Sequence, residues 1–387
     1  MTQTPALLIT NCLADLGGGE VAILRHLDHS SLPRERITVA ALNQGPFAEQ
    51  VRARGVRWEF VGREGRDGRF PGWGETLQIG WRISRLVRKH GISHVLCYTV
   101  PDLQAALLAR SLTRIRLSWR SQAEVTVQLP AGGKDAALQR LLRRCRKSVD
   151  WVVTTTRRDA ELLVENGAPA ERVRTVYLGV EDRHFDPCPP SDEPRPRRVV
   201  ISGRLVPYKR HRLFLEAFAR VAERLPDVEA WVVGGGAAEY VAELKQVADR
   251  LNIAQRTKFW GHCPDPIDLV RQCDVAVLSS EREPFGLVVI EAMAAGIPVV
   301  ASAVQGPREI LLDGETGYLI DSSDPSAYAA ALAKLLADPD LRRRVGDAGR
   351  TAAFERFRVS ANTAELEHLL FSETRAARPA VAAGITA

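Results

Sequence analysis

The sequence has few cysteines, and their spacing gives them no common task. The six are scattered over 387 residues without a C-x-x-C pair, at Cys12, Cys97, Cys145, Cys188, Cys263 and Cys273. This pattern indicates neither a zinc site nor a disulfide framework. We therefore expect reduced, mostly structural thiols and no bound metal.

Long apolar runs are also missing. No stretch reaches the roughly 18 consecutive apolar residues of a membrane span, and Met1–Pro5 lacks the basic start of a secretory signal before the strand-like Ala6–Thr10. Apolar residues make up 45% and charged residues 26% of the chain, which is typical of a soluble globular enzyme. We expect a cytoplasmic protein.

The G-x-G-x-x-G fingerprint of dinucleotide-binding enzymes does not occur after the first strand. The chain has instead Gly17, Gly18 and Gly19, followed by a helical pattern. A backbone without side chains at a helix start can approach a phosphate closely, although a flexible turn would have the same sequence. The missing fingerprint disfavours an NAD-dependent dehydrogenase.

The net positive charge of the chain lies in its first half. Residues 1–190 contain 28 Lys and Arg against 20 Asp and Glu, whereas residues 191–387 contain 25 against 27. The densest basic segment is 138–147, which could meet an anionic membrane surface or form a solvated helix face. No nucleic-acid-binding module is apparent, so we expect no nucleic-acid partner.

Strand-like and helix-like segments alternate along the whole chain, which predicts parallel sheets covered on both faces. The length suits two cores, and the proline-rich segment 186–196 is typical of a linker. We expect an α/β protein with an N-terminal domain at 1–186 and a C-terminal domain at 187–354. A helix near 355–371 could pack back on the first domain, and 372–387 should be a flexible tail.

Two carboxylates stand out in the second domain. Glu283 lies on a loop after the apolar strand Val275–Leu278, and Glu291 lies in the helix that follows. The first turn of that helix, near Phe285 to Val288, should offer unpaired N–H groups to phosphate or sugar oxygens. The alternative is an exposed acidic loop and a solvated helix glutamate.

Two further loops should lie at the same edge of the second sheet. The loop after the strand ending at Ser202 carries Arg204 and Lys209, which could neutralise a phosphate. Gly234, Gly235 and Gly236 follow the next strand and would leave room for a nucleotide. Ligands of open α/β sheets bind beyond the carboxyl ends of the strands.

In their order and spacing, these motifs resemble those of the retaining nucleotide-sugar glycosyltransferases of family 4. The resemblance covers nearly the whole chain. The matching runs are Gly203-Arg204-Leu205 with Lys209, Val233-Gly234-Gly235-Gly236, Phe259-Trp260-Gly261-His262, Glu283-Pro284-Phe285-Gly286-Leu287, Glu291 to Val300, Gly306-Pro307-Arg308-Glu309 and Asp313 to Leu319. The implied fold is GT-B, with two Rossmann-like, doubly wound domains that face each other across a cleft.

The resemblance also implies roles for individual residues. Arg204 and Lys209 would neutralise the donor diphosphate, with Gly18 and Gly19 against it from the other domain. Glu291 would bind the ribose. Glu283, with the N–H groups of Phe285, Gly286 and Leu287, would hold the transferred sugar. Gly235, Gly261 and His262 would line the nucleotide site, with the loop at Gly261 and His262 bordering the base. Such enzymes use no cofactor and no metal, and the co-substrate would be a nucleotide-sugar with UDP as the expected nucleotide.

The acceptor should bind the first domain near Gly17, Gln122 and Glu124. Gln122 stands where many members of the family have a histidine, and since an amide cannot ionise, acid–base catalysis from this position is in doubt. In retaining enzymes of this kind the departing phosphate is thought to take the acceptor's proton. Trp73 could stack on a sugar or pack in the fold. A small soluble acceptor is favoured over a lipid carrier.

Two other functions fit the same architecture. A nucleotide-sugar epimerase would process the donor without an acceptor. A non-catalytic glycosyltransferase-like subunit would bind partners instead. The presence of Arg204, Lys209, Glu283 and Glu291 argues against a loss of catalytic activity. We therefore expect a hexosyltransferase.

Overall fold

The structure is a computed structural model that describes residues 6–11, 17–63, 71–121, 148–186 and 195–372. The chain divides into two compact units. Unit 1 comprises Met1–Tyr177 and Ala361–Ala387, and unit 2 comprises Leu178–Ser360. The basic segment 138–147 and the tail beyond Ser372 lie outside the described residues.

Unit 1 is built on a parallel sheet of seven strands in the order β3-β2-β1-β4-β5-β6-β7. The strands are β1 (Leu7–Asn11), β2 (Ile37–Ala41), β3 (Arg57–Phe60), β4 (His94–Cys97), β5 (Arg116–Ser121), β6 (Trp151–Thr154) and β7 (Val173–Thr175). The helices are α1 (Gly18–His29), α2 (Pro46–Ala53), α3 (Trp73–His90), α4 (Val100–Leu112) and α5 (Arg157–Glu165).

Apolar side chains on both faces of β1 explain why helices cover both faces of the unit 1 sheet. Leu8 packs into one hydrophobic cluster with residues of α3 and α4. Leu7 and Ile9 point to the opposite face and pack with residues of α1 and α2. Since successive side chains of a strand alternate between faces, a central strand buried on both sides has an unbroken apolar run.

Unit 2 repeats this arrangement with a parallel sheet of six strands in the order β10-β9-β8-β11-β12-β13. The strands are β8 (Arg197–Ser202), β9 (Val228–Val233), β10 (Thr257–Gly261), β11 (Val275–Leu278), β12 (Val299–Ser302) and β13 (Tyr318–Ile320). The helices are α6 (His211–Arg224), α7 (Ala238–Arg250), α8 (Ile267–Val270), α9 (Leu287–Ala294), α10 (Gln305–Ile310), α11 (Pro325–Ala337) and α12 (Pro339–Arg356). The last helix among the described residues is α13 (Val359–Phe371). The predicted α/β class with two parallel-sheet units is confirmed.

The chain passes between the units earlier than the proline-rich segment suggested. The division falls after Tyr177 rather than at residue 186, because Val180 forms a parallel bridge with Arg358. Gly179 lies so close to the same segment that a Cβ there would be 2.4 Å from Val359 Cα. These backbone contacts bind 178–186 into unit 2.

The helix predicted near 355–371 begins at Val359, after a break in the backbone. The chain forms two helices, α12 and α13, separated at Phe357 and Arg358. The Val180 N–H donates to the Phe357 carbonyl at 2.8 Å, and the Val359 N–H donates to the Val180 carbonyl at 3.0 Å. These strand-like bonds use backbone groups that a continuous helix would need for itself, and Phe357 is fully buried at the break.

A buried polar network attaches α13 within unit 1. The Glu367 carboxylate accepts hydrogen bonds from the Ser30 hydroxyl and from the Ser31 N–H at 2.9 Å, and it lies 3.2 Å from His26 Nε2. The other ring nitrogen of His26 is 3.4 Å from the Tyr98 hydroxyl. Both contacts suit a neutral imidazole that donates to Glu367 and accepts from Tyr98.

Glu367 and His26 both have perturbed pKa values. Burial alone raises the pKa of Glu367, but hydrogen bonds from His26, Ser30 and Ser31 outweigh it and lower the pKa to about 2. Burial lowers the pKa of His26, with Glu367 opposing the shift. Ionised Glu367 and neutral His26 are therefore the forms that the folded unit prefers near neutral pH.

Among the described residues, no helix combines the length and the apolar character needed to cross a bilayer.

Replacing Glu367 with glutamine should destabilise unit 1. At pH 7 we expect Glu367→Gln to lower the free energy of unfolding by about 2 kcal/mol, because buried donors lose a charged acceptor. The folded pKa of Glu367 lies below its reference value of 4.5, so its contribution is complete above that pH and is lost as the pH falls towards 2. Urea unfolding of both proteins at several pH values measures this difference.

The matched control is Glu49→Gln, which changes an exposed glutamate of α2. It should leave the unfolding midpoint nearly unchanged. An equal effect of the two substitutions, or a difference that does not shrink in acid, would contradict a structural role for the Glu367 network.

Candidate functional site

The strand order of unit 2 places a switch point between β8 and β11. Two strands, β9 and β10, lie beyond β8 on one side, and two, β12 and β13, lie beyond β11 on the other. Loops that follow neighbouring strands on either side of such a point diverge and leave a crevice. The crevice is bordered by the loop 203–210 after β8 and the loop 279–286 after β11.

Two predicted residues meet at this point. The Lys209 ammonium donates a hydrogen bond to Glu283 Oε2 and forms an ion pair with it. Ser280 Oγ lies 3.5 Å from the same carboxylate oxygen. The side chains of Lys209 and Glu283 are only 17% and 12% exposed, so solvent screens their attraction weakly.

Buried Ser279 holds the backbone that carries Lys209. Its hydroxyl lies 2.9 Å from the Lys209 carbonyl and 3.0 Å from the Arg210 carbonyl, and donates to this pair of acceptors. Arg210 adopts a left-handed conformation with φ of 52°, which is uncommon for a residue other than glycine. The sequence reasoning missed Ser279, although a small polar residue directly after a buried strand was the available signal.

Arg204 is on the same loop, but its side chain is directed elsewhere. It is exposed, and its Nη2 donates to the Tyr208 hydroxyl at 3.1 Å. The guanidinium carbon of Arg282 lies 4.9 Å from the centre of the Tyr208 ring. Tyr208, another residue that the sequence did not single out, thus organises two arginines beside the Lys209–Glu283 pair.

The helix that follows Glu283 begins at a tightly held glycine. Gly286 is the N-cap of α9 with φ of 109°, a conformation that favours glycine. Its neighbour Phe285 is buried at 3% exposure. The chain packs here without space for a side chain, because a Cβ on Gly306 would come within 1.9 Å of the Phe285 carbonyl oxygen. The Gly306 N–H also donates to the Glu283 carbonyl at 3.0 Å.

Glu291 lies one turn further along α9. Leu287 is the first residue of the helix, so the two are separated by about 6 Å along the helix axis. Glu291 is 8% exposed, which is unusual for a carboxylate without a structural or binding role. In the first turn of α9 the Val289 N–H donates to the Gly286 carbonyl at 3.0 Å, whereas the N–H groups of Leu287 and Val288 come before the residues that a helix can pair internally.

The glycine run after β9 joins three strand ends. The Leu205 N–H donates to the Gly235 carbonyl at 2.8 Å, and the Gly234 N–H donates to the Gly261 carbonyl at 2.8 Å. A Cβ on Gly235 would lie 3.3 Å from the Cβ of His262. Gly235, Gly261 and His262 are therefore brought together, and Gly261 and His262 are exposed.

His211 is a buried histidine next to the site that sequence reasoning also missed. It is the first residue of α6 and 1% exposed. Burial and, secondarily, the charge of Lys209 lower its pKa to about 4. Its Nδ1 has no hydrogen-bond partner among the described residues. The imidazole ring is therefore neutral near pH 7.

The glycine loop of unit 1 is held by a buried glutamate. Gly17 is the N-cap of α1, and Gly18 and Gly19 are its first two residues. Glu20 Oε2 accepts a hydrogen bond from the Gly17 N–H at 3.1 Å, and Oε1 accepts one from Asn11 Nδ2 at 3.0 Å. Glu20 is 3% exposed. The signal for it was a glutamate three residues after the N-cap.

Of the remaining predicted residues, the structure describes only Trp73. Gln122 and Glu124 lie outside the described residues. Trp73 is described, and its 74% exposure rules out the alternative that it packs in the fold. Within the described ranges, no group of three or more His, Cys, Asp or Glu residues is placed to hold a metal ion.

Two family models match the two halves of the chain. The model of "Glycosyl transferase 4-like domain" matches residues 12–179, and that of "Glycosyl transferases group 1" matches residues 189–352. The second match contains Arg204, Lys209, Glu283 and Glu291.

Several curated proteins are similar in sequence. The putative glycosyltransferase EpsD of Bacillus subtilis is 33% identical over 48% of this chain and 51% of its own length. The D-inositol 3-phosphate glycosyltransferase of Thermomonospora curvata is 36% identical over 51% of each chain. The N-acetyl-alpha-D-glucosaminyl L-malate synthase of Bacillus anthracis is 27% identical over 72% of this chain and 74% of its own. The chain thus spans about half the length of the first two relatives.

Solved structures show the same fold across almost the whole chain. The Anabaena protein HepE, crystallised with UDP and glucose, has a TM-score of 0.82 and 21% identity, covering 95% of this chain and all of its own. Sucrose-phosphate synthase from Thermosynechococcus elongatus has a TM-score of 0.73 and 20% identity, covering 95% of this chain and 98% of its own. Since the two family models account for both halves of the sequence and these neighbours share its fold, the chain belongs to the family 4 glycosyltransferases of GT-B fold.

Proposed function

We propose that this protein transfers a hexose-type sugar from a nucleotide-sugar, with UDP as the nucleotide, to a hydroxyl group of a small soluble acceptor, with retention of anomeric configuration. The observation that carries the proposal is the partly buried Lys209–Glu283 pair at the switch point of unit 2, directly before the amino end of α9. The family of the chain and the names of its relatives support the class of reaction.

The diphosphate of the donor needs more positive charge than the ion pair supplies. Lys209 and Glu283 together carry no net charge, so the leaving group would rely on Arg204 and on the N–H groups of Leu287 and Val288 at the amino end of α9. Lys209 has three N–H donors and can turn from Glu283 towards a phosphate. Fixed charges of this kind stabilise a transition state without reorganising when charge develops on the leaving group.

Glu283 and Glu291 would bind opposite ends of the donor. Glu283 is on the loop before α9 and would accept hydrogen bonds from hydroxyls of the transferred sugar, beside the N–H groups of Phe285, Gly286 and Leu287. Glu291 is one turn further along and would accept them from the ribose. Gly235, Gly261 and His262 lie together at the ends of β9 and β10 and would border the base.

A front-face substitution accounts for retention with these side chains. The bond from the anomeric carbon to the departing phosphate oxygen breaks with its electron pair on phosphate. The acceptor oxygen then bonds to the same face and gives its proton to that phosphate oxygen. No protein base is required, and His211 would be a weak one because burial lowers its pKa to about 4. The positive charge comes from Arg204, Lys209 and a helix, and we propose that no metal or other cofactor is needed.

Two comparisons support the substrate classes. HepE was crystallised with UDP and glucose, which favours a UDP-sugar here. Two relatives are named for inositol phosphate and malate as the molecules they act on, which favours a small polar acceptor. The first unit would bind it near Gly17, Gln122 and Glu124.

Glu20 would act as a positioning residue for the donor. Its carboxylate joins the last residue of β1 to the N-cap of α1, and the proposed diphosphate contacts Gly18 and Gly19 follow that N-cap directly. Because both oxygens are used as acceptors, the link depends on a carboxylate and not only on the size of the side chain.

A thermal-shift panel tests the donor. UDP-, GDP-, ADP- and TDP-sugars are each added to the full chain, and the midpoint is measured over a range of concentrations. A ligand that binds the folded state raises stability in proportion to the logarithm of its concentration above Kd. We expect the largest shift with a UDP-sugar. Equal shifts with all four, or none, would oppose a UDP-sugar donor.

Alanine substitution tests the site. Lys209→Ala and Glu291→Ala should each reduce transfer at least about 100-fold, because each removes a charged contact to the donor. Product formation is measured with the donor found in the panel, and circular dichroism confirms folding. Arg212→Ala is the control, since Arg212 is an exposed α6 arginine whose side chain pairs with Glu216. Full activity in either site variant would contradict its proposed role.

A reciprocal exchange tests Glu20. Glu20→Gln should raise KM for the donor about tenfold with a smaller effect on kcat. The new NH₂ group of the glutamine would face the NH₂ group of Asn11, and two donors cannot form a hydrogen bond. The double variant Asn11→Asp, Glu20→Gln reverses the direction of that hydrogen bond and keeps an acceptor for the Gly17 N–H. It should recover most of the loss. No effect on KM, or no recovery in a correctly folded double variant, would contradict the positioning role.

A further inference from the structure

Helix α3 has two different apolar faces. The inward face carries Ile79, Ile83 and Val87, which belong to the core of unit 1. At Gly80 the helix approaches α4 so closely that a Cβ would lie 2.7 Å from the Ala105 carbonyl oxygen. The inward face thus packs against the core of unit 1. Core packing does not explain apolar residues on the opposite face.

The outward face carries a stripe of large apolar side chains. Trp73, Leu77 and Trp81 are 74%, 56% and 52% exposed. They are four residues apart, so they lie along one side of the helix over about 12 Å. Of the seven exposed large hydrophobic side chains among the described residues, three are on this stripe. Such concentration marks an interaction surface more strongly than scattered exposure does.

Basic side chains border the stripe. Arg82, Arg85, Arg88 and Lys89 are exposed on α3, and its single acidic residue, Glu75, is half-buried. The guanidinium of Arg85 lies 5.0 Å from the centre of the Trp81 ring. Arg85 therefore continues the apolar stripe on the same helix, whereas Arg82 and Arg88 also donate to the carbonyls of Val61 and Leu112.

The size and charge of this surface fit a lipid interface better than a protein partner. A stable protein interface buries about 800 Å² on each partner, much more than three side chains that are already partly covered. A helix lying in the headgroup region needs only a narrow apolar strip with Trp and Leu and a border of Lys and Arg. Tryptophan suits this region because it joins a large apolar ring to one N–H donor.

We propose that the outward face of α3, defined by Trp73, Leu77, Trp81 and Arg85, docks this protein peripherally on an anionic membrane surface. The tryptophans and Leu77 enter the headgroup region, while Arg85 and its basic neighbours contact lipid phosphates. The inference concerns where the enzyme is held and is independent of the donor and the acceptor.

Co-sedimentation of the full chain with vesicles tests the proposal. We expect binding to vesicles that contain phosphatidylglycerol in phosphatidylcholine and little binding to phosphatidylcholine alone, with weaker binding as salt rises. The double variant Trp73→Ala, Trp81→Ala should bind about tenfold or more weakly, and Arg85→Ala should lose part of the binding. Leu312→Ala is the control, because Leu312 is 51% exposed in unit 2.

A second measurement requires no variant. Phosphatidylglycerol with brominated acyl chains should quench the tryptophan fluorescence of the wild-type protein, and the emission should shift to shorter wavelength on binding. Failure of the wild type to bind anionic vesicles, or equal binding by a folded double tryptophan variant, would overturn the proposal. So would self-association in solution that the tryptophan substitutions abolish, since the stripe would then join two copies of this chain.

Discussion

The parallel alignment of strands is the constraint on which the site depends. Because every strand of a parallel sheet ends at the same edge, loops that are far apart in sequence meet there. In unit 2 this brings the loop after β8 to the loop after β11 and places Lys209 on Glu283, 74 residues away. The hydroxyl of Ser279 secures the contact by holding the backbone that carries the lysine. The positions of the charges follow from the order of the strands.

Electrostatic balance decides what such a site can bind. The partly buried Lys209 and Glu283 compensate each other's charge when no ligand is bound. An anionic diphosphate would then draw the lysine towards itself, with Arg204 and the amino end of α9 as the uncompensated positive charge. Binding would replace the Lys209–Glu283 ion pair by an ion pair between Lys209 and the phosphate. Glu283 would then accept hydrogen bonds from the sugar, so neither charge would be left without a partner.

Much of the architecture followed from local patterns, whereas connections between distant parts did not. The apolar run Val275–Leu278 identified β11 at its observed bounds, and Ala6–Thr10 identified β1 to within one residue, because central strands buried on both faces have few other interpretations. The exact position of the break between α12 and α13 depends on backbone bonds to Val180, far away in the chain, and no local pattern gives it. The role of Glu367 was missed for the same reason, since His26 and Ser31 are more than 330 residues distant.

The sequence by itself determined the two doubly wound units, the family, and the residues most suited to a charged donor. Strand periodicity, glycine placement and motif order are local properties, and they carry this information without a structure. Only the tertiary structure decided that Lys209 pairs with Glu283 while Arg204 turns to Tyr208. It also decided that Glu20 links β1 to α1 and that Trp73 faces solvent. Which partner a polar side chain finds, and which face of a helix is covered, depend on packing between segments remote in sequence.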